Sequence, residues 1–174
     1  MSSVEGMDAL DADRIRASFV NCSKGEAAAI VIPGLTTVDW EKLDFLAWRN
    51  PRMPQRAYLV APMEGGPVGV VLRVAANRNH AGAMRTSMCE FCHTVHSAGG
   101  VTLFTAAKAG GSGRHGNSVG AYFCADLECS RYARGTKRPI RVQPQTTMTV
   151  DERVDRLNSR LRGVVSSIAP QRTA

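Results

Sequence analysis

Two cysteine pairs constrain this chain more than any other feature. Cys89-Glu90-Phe91-Cys92 is a C-x2-C turn, and Cys124-Ala125-Asp126-Leu127-Glu128-Cys129 is a C-x4-C pair. Four thiolates close a tetrahedral shell around one zinc ion and leave no open position for a substrate. Thirty-one residues separate Cys92 from Cys124, enough for a strand, a loop and a second strand. A knuckle, then a β-hairpin, then a pair at a helix start is the plan of a treble-clef zinc finger. The expected cofactor is one structural Zn2+ held by Cys89, Cys92, Cys124 and Cys129.

Other uses of these cysteines fit less well. Disulfides need an oxidising compartment. The N-terminus, Met1-Ser2-Ser3-Val4-Glu5-Gly6, lacks the basic and apolar blocks of a signal peptide, and no apolar run reaches transmembrane length. The expected location is the cytoplasm, with no membrane contact. A redox C-x-x-C opens a helix after a strand, whereas His93-Thr94-Val95-His96-Ser97-Ala98-Gly99-Gly100 reads as a turn. His93 and His96 lie close enough to be alternative or supporting ligands. With four cysteines at hand they read as loop or core residues. The fifth cysteine, Cys22, reads as a small buried hydrophobe.

At 174 residues the chain is expected to form one domain, and its 44% hydrophobic content can supply a core. The net charge of +7 is unevenly placed. Residues 1–50 carry five basic and eight acidic groups, whereas residues 91–141 carry seven and two. The excess sits on and around the cysteine module and suggests an acidic partner: RNA, a ribosome or an acidic protein face.

The expected fold class is α+β, a small antiparallel sheet with flanking helices and the zinc finger. Residues 1–10 read as a disordered tail and 11–170 as the domain, with the finger within 86–136. Asp11 caps a helix carrying Ile15 and Phe19, and Ser23 with Glu26 forms a capping box for a short second helix. Thr37 caps an expected third helix with Trp40, Leu43, Leu46 and Ala47 on one face. Strands are expected at 56–61 and 68–75, joined by a turn at Glu64-Gly65-Gly66-Pro67. Residues 76–85, with Arg78, His80 and Arg85 in or beside them, read as a polar link. Strands at 101–106 and 119–124 frame the tip Gly110-Gly111-Ser112-Gly113-Arg114-His115-Gly116-Asn117. Its G-x-G-x-x-G spacing leads into a strand, so it reads as a flexible loop and not a nucleotide site. Asp126 caps a short helix that Gly135 stops. Thr149 and Glu152 box the start of a final helix, 150–168, with Val150, Val154, Leu157, Leu161, Val164 and Ile168 at helical spacing.

Taken together, these stretches resemble the C-terminal treble-clef domain of the FusB-type fusidic acid resistance proteins, which bind elongation factor G. The likeness is greatest to the family's single-domain actinobacterial members. It runs from about Phe19 to about Ile168. It rests on Phe19-Val20-Asn21-Cys22-Ser23-Lys24-Gly25-Glu26, Leu43-Asp44-Phe45-Leu46-Ala47-Trp48-Arg49, Arg56-Ala57-Tyr58-Leu59-Val60, Gly69-Val70-Val71-Leu72-Arg73, the finger itself, and Gly116-Asn117-Ser118-Val119-Gly120-Ala121-Tyr122-Phe123-Cys124-Ala125-Asp126. The resemblance implies a monomeric zinc protein that grips elongation factor G and promotes its release from the ribosome. It implies no enzymatic activity. Two-domain members carry an N-terminal helical domain that the roughly 18 residues before the match do not supply.

Chemistry nominates exposed contact residues for the partner: Arg114, His115, Tyr122, Arg131, Tyr132, Arg134, Lys137 and Arg138. The competing expectation is a basic module that binds ribosomal RNA or another nucleic acid directly; sparse aromatic content, 6%, speaks against it. An enzyme is the third possibility. No H-E-x-x-H, Walker loop or Ser-His-Asp order is present.

Overall fold

A computed structural model describes residues 5–75 and 87–170. The link read over 76–85 lies outside the described residues, apart from Arg73 just before it. The first two elements form where their caps predict. Asp11 accepts from the Arg14 amide at 2.8 Å and opens Ala12–Ala17 (α1). Ser23 and Glu26 exchange both bonds of a capping box and open Lys24–Ala28 (α2). Phe19, expected on α1, lies beyond its end and bridges to Gly69.

Among the described residues, five antiparallel strands form the main sheet. They are Leu46–Arg49 (β1), Arg56–Met63 (β2), Gly66–Val74 (β3), Val101–Ala107 (β6) and Ser118–Cys124 (β7), in the order β1-β2-β3-β6-β7. Ser87–Met88 (β4) and Val95–His96 (β5) make a separate two-stranded ribbon. Residues 57–61 of β2 are buried without a break, because the strand is covered on both faces. Ala57, Leu59 and Ala61 face the larger core, while Tyr58 and Val60 face the clusters under α1 and α2. In β3, Val68, Val70, Leu72 and Val74 all turn toward the larger core, as their alternation predicts.

Three expectations are corrected. No helix starts at Thr37: two short 3-10 turns, Leu35–Thr37 and Trp40–Lys42, lead into β1. The apolar residues still find the core, but Leu46 to Arg49 satisfy the open edge of β2, which a helix would leave unpaired. The segment 5–10 is packed and not a tail: Met7 and Leu10 are buried, and the Met7 amide donates to Leu43 O at 2.8 Å. The loop tip contains a helical turn, Gly110–Arg114 (α3), between β6 and β7.

Two polar devices shape the sheet. Gly69 lets the chain at Ser18 to Val20 lie across β3; a Cβ there would come within 2.6 Å of Ser18 Oγ. Asn21 then wedges between β3 and β6, which pair at only two positions. Its amide donates to Val71 O and Ala107 O and accepts from the Val71 amide, so the separated strand groups stay bonded.

Cys129–Ala133 (α4) ends at Gly135, whose φ of 71° the expected stop requires. Asp126 does not cap it by bonding the helix's first turn; it accepts from the Glu128 amide just before. The last helix, Val150–Ile168 (α5), begins at the predicted capping box. Its buried stripe is Val154, Leu157, Leu161, Val165 and Ile168. Val165 takes the place expected for Val164, and Val150 stays exposed. This stripe packs in the same cluster as β2, β3, β6, β7 and all four paired cysteines.

A buried ion pair ties the halves together. Asp44, fully buried, accepts from Arg134 Nη2 at 2.9 Å, Arg134 Nε at 3.1 Å and Asn158 Nδ2 at 3.2 Å. Its own amide donates to Ser130 Oγ. Removing one partner strands the other charge away from water. The Asp44→Ala variant is expected to lose about 3–5 kcal/mol of stability, read from urea unfolding monitored by tryptophan fluorescence. Asp44→Asn keeps the shape but replaces one acceptor oxygen with an NH2 that faces a donor of Arg134 or Asn158, so it too is expected to be destabilised.

Candidate metal centre

The C-x2-C turn is folded by its own backbone before any metal is considered. Cys89 N–H donates to Thr94 O at 3.0 Å, and His93 N–H to Cys89 O at 2.9 Å. The Phe91 and Cys92 amides point at Cys89 Sγ, at 3.4 and 3.5 Å. His93 takes φ 57° to complete the knuckle. Cys124 ends β7, Leu127 turns the chain with φ 62°, and Cys129 opens α4.

These elements bring the four sulfurs together, all buried and all within 4.8 Å of one another. Cys89 and Cys129 sulfurs are 3.7 Å apart, and those of Cys92 and Cys124 are 3.5 Å apart. A tetrahedron with Zn–S bonds of 2.3 Å has edges of roughly 3.8 Å. A disulfide would need about 2.05 Å. The donor set fits one zinc ion, held by Cys89, Cys92, Cys124 and Cys129. The ion, when bound, joins the ribbon, the hairpin and α4 and has no coordination position left over.

The electrostatics agree with a metal site. Four buried sulfurs this close do not ionise independently. Hydrogen bonds from Cys124, Cys129 and Cys89 hold the Cys92 thiol well below its usual range. Burial, aided by Cys124, Cys89 and Cys92, pushes Cys129 well above it. A divalent cation resolves that conflict by stabilising all four thiolates together.

Neighbouring groups support the ligands. His96 Nε2 lies 3.2 Å from Cys124 Sγ, and its ring meets Tyr132 edge-on at 5.1 Å. Thr94 Oγ1 lies 3.2 Å from Cys92 Sγ. Arg49 donates twice to Ala125 O, between the last two ligands, and stands 5.1 Å over the Phe104 ring. His93 is exposed, and burial and the Arg156 charge depress its imidazole against the pull of Cys92. Cys22 is remote from the cluster in the fold. It packs half-buried beside Ile30, Tyr58 and Val71, and burial followed by the Glu26 charge raises its thiol despite Arg56.

The nominated contact residues divide. Arg114 and His115 are exposed at the hairpin tip, about 20 Å of strand away from Cys124. Tyr122 is 50% exposed on β7. Arg131 is exposed and pairs with Glu128, and Arg138 is exposed. Lys137 is half-buried between Asp126 and Glu128. Tyr132 and Arg134 are not surface groups. Tyr132 is buried and donates to Asp126 Oδ2 at 2.8 Å; burial and then the Asp126 carboxylate push its phenol up to about 12. Burial works against the Asp126 carboxylate, but Lys137, the Glu128 amide and Tyr132 outweigh it and hold the carboxyl below its ordinary value. Arg134 is committed to Asp44. An aromatic and an arginine read alike in sequence whether they face a partner or an internal carboxylate.

Sequence reasoning missed three features around the centre. Glu90, inside the knuckle, accepts from the Tyr122 amide at 3.0 Å and pairs with Arg160 of α5 at 3.2 Å. Gln143 presses its amide on the backbone of Val95, donating to the carbonyl and accepting from the N–H, both at 2.8 Å. Ile140 and Val142, just before it, are almost fully exposed, at 103% and 90%. None of these carries a spacing signal that would reveal it.

The Cys124→Ala variant is expected to bind less than one zinc per chain and to lose the folded circular-dichroism signal, because metal binding and folding are one equilibrium here. Acidification is expected to release zinc cooperatively, since protons compete for the thiolates. The His96→Phe variant should stay folded yet hold zinc about 10-fold more weakly in a chelator competition.

The comparisons with known proteins agree with this geometry. No curated protein is similar enough to count as a match. Among solved structures, that of the fusidic acid resistance protein FusC is similar, with a TM-score of 0.51 and 14% identity. The alignment covers 74% of this chain and 53% of FusC, so the chain spans about half of that protein's length; the likeness is one of fold. The family model of the FBP C-terminal treble-clef zinc-finger matches residues 14–168, with all four cysteines inside the match. By that match, over a fold whose cysteines meet at one point, the chain belongs to the FBP C-terminal treble-clef zinc-finger family.

Proposed function

We propose that this protein binds translation elongation factor G through the surface its zinc centre holds in place, and promotes the factor's release from the ribosome. The observation that carries the reading is the family match over residues 14–168. The fusidic acid resistance named for FusC is in keeping with it. The metal centre supports binding and not catalysis, because four sulfur ligands leave the ion no position for a substrate.

The contact surface is proposed to lie along the chain that leaves α4. Lys137, Arg138, Ile140, Arg141 and Val142 run beside the ribbon and are held there by the clamp of Gln143 on Val95. Two nearly fully exposed apolar side chains beside cations are not buried by the described residues, and such groups are anchors for a partner with an acidic rim. Arg131, which shares Glu128 with Lys137, extends this surface, and Tyr122 on β7 and Arg114 with His115 at the hairpin tip add separate points. Preorganisation by the metal and by Gln143 lowers the ordering cost of binding. The protein works here by shifting its partner's conformational populations, with no chemical step of its own.

The zinc-loaded protein is expected to run as a monomer on gel filtration and to co-elute with elongation factor G at moderate salt. The double variant Ile140→Asp, Val142→Asp should keep its zinc and lose the complex, a weakening of at least 10-fold. Absence of a wild-type complex at low salt would overturn the function itself. An unaffected double variant would overturn only the placement of the surface.

A further inference from the structure

An open groove of about 420 Å³ lies between the knuckle and α5, lined by Glu90, His93, Arg156, Ser159, Arg160 and Gly163. Three observations give it a chemical character. The first is charge. Arg156 and Arg160 stand one helical turn apart, at i and i+4, about 6 Å of axial rise. Arg156 has no carboxylate partner among the described residues; its Nη1 meets only the Met148 sulfur, at 2.9 Å, and its buried Nε has no hydrogen bond. The single acid in the groove, Glu90, is already held by Arg160 and the Tyr122 amide. The lining is therefore net cationic without counting His93.

The second observation is Gly163. A glycine inside a helix costs stability relative to alanine, and it is retained where something must come close to the backbone. No atom of the described residues lies within 4 Å of the place its Cβ would take, so their packing does not require it. Its bareness keeps the groove open. The third is the set of donors: guanidinium forks, a serine hydroxyl and an imidazole edge, all matched to oxyanions.

We propose that this groove binds the phosphodiester backbone of an RNA strand, as a contact additional to the proposed factor surface. Two guanidiniums a helical turn apart suit a ligand with regularly repeated charges more than a lone carboxylate, which one arginine fork satisfies alone. The binding is sequence-independent, because the groove offers donors to phosphate oxygens and, among the described residues, no Phe, Tyr or Trp face for stacking a base. The net charge of +7 adds long-range attraction.

The test is fluorescence anisotropy of a labelled single-stranded RNA 20-mer against the zinc-loaded full chain over a salt series. Arg156→Gln is expected to weaken binding about 10-fold and to reduce the salt slope by about 0.7, one phosphate contact on a single strand. Gly163→Leu fills the groove without altering charge; it should weaken binding comparably. Arg52→Gln, an exposed cation in the loop before β2, serves as the control for bulk charge and should change affinity less than two-fold. Zinc content and circular dichroism establish that each variant is folded. RNA affinity within two-fold of wild type in either groove variant would overturn the proposal, as would no wild-type binding at low salt. Full displacement of the RNA by millimolar inorganic phosphate at constant ionic strength would assign the groove to free phosphate and overturn it too. Loss of elongation factor G binding with RNA binding intact would make the groove a protein contact. The factor complex is measured in parallel, so its failure and that of the RNA contact are distinguishable.

Discussion

The meeting of four buried sulfurs is the constraint on which the rest depends. Two of them come from a ribbon whose strands are only two residues long, too short to be stable alone. The third ends the long hairpin, and the fourth opens a five-residue helix. Neither the ribbon nor that helix has enough surface to bury by itself. The metal makes one body of them, and Phe91, Phe123 and Leu127 close over it as part of the same core that receives α5. Zinc is thus an interior member of the core and not an appendage. The stacking of Phe104 on Phe123, with centroids 4.3 Å apart, carries the contact from the finger into the sheet.

Polar ties then extend the centre to the N-terminal half. Arg49 of β1 holds the carbonyl of Ala125 inside the second cysteine pair. Asp44, just before β1, holds Arg134 at the end of α4 and Asn158 on α5. Both ties lie on or beside the short strand that replaced the expected helix. The pairing of β1 with β2 sets the position of each, so the edge of the sheet and the metal loop are fixed by one another. Buried ionic groups of this kind add little net stability against an apolar alternative, but breaking one side is costly. Their effect is to specify one arrangement of the two halves.

A scaffold so constrained can present surface groups with little ordering cost, and its surface carries two features of different chemistry. The extended chain after α4 is apolar and basic and is suited to a protein. The groove beside α5 is basic and polar and is suited to phosphate. They flank the same knuckle, through Val95 on one side and Glu90 on the other. The fold persists at 14% identity with FusC, which is what a metal-centred core permits.

What the sequence determined by itself is what local chemistry encodes. Cysteine spacing specified the zinc site, because ligand geometry is a matter of a few bonds. Ser23 with Glu26, and Thr149 with Glu152, marked two helix starts, because a capping box closes within one turn. Alternation in residues 68–74 and the 3.6 period of α5 revealed their buried faces, up to the drift from Val164 to Val165. Tertiary structure decided whatever depends on a distant partner. Residues 37–47 have helical spacing, yet Leu46 and Ala47 become strand because β2 offers an unfilled edge. Met7 and Leu10 are buried because the turn around Leu43 receives them. Asn21 is a wedge only because β3 and β6 part beside it, 50 and 86 residues further along. Arg134 is an internal cation only because Asp44, 90 residues earlier, is brought to it. A side chain's identity states what it can bond to, and only the fold decides whether that partner is water, another protein or the chain itself.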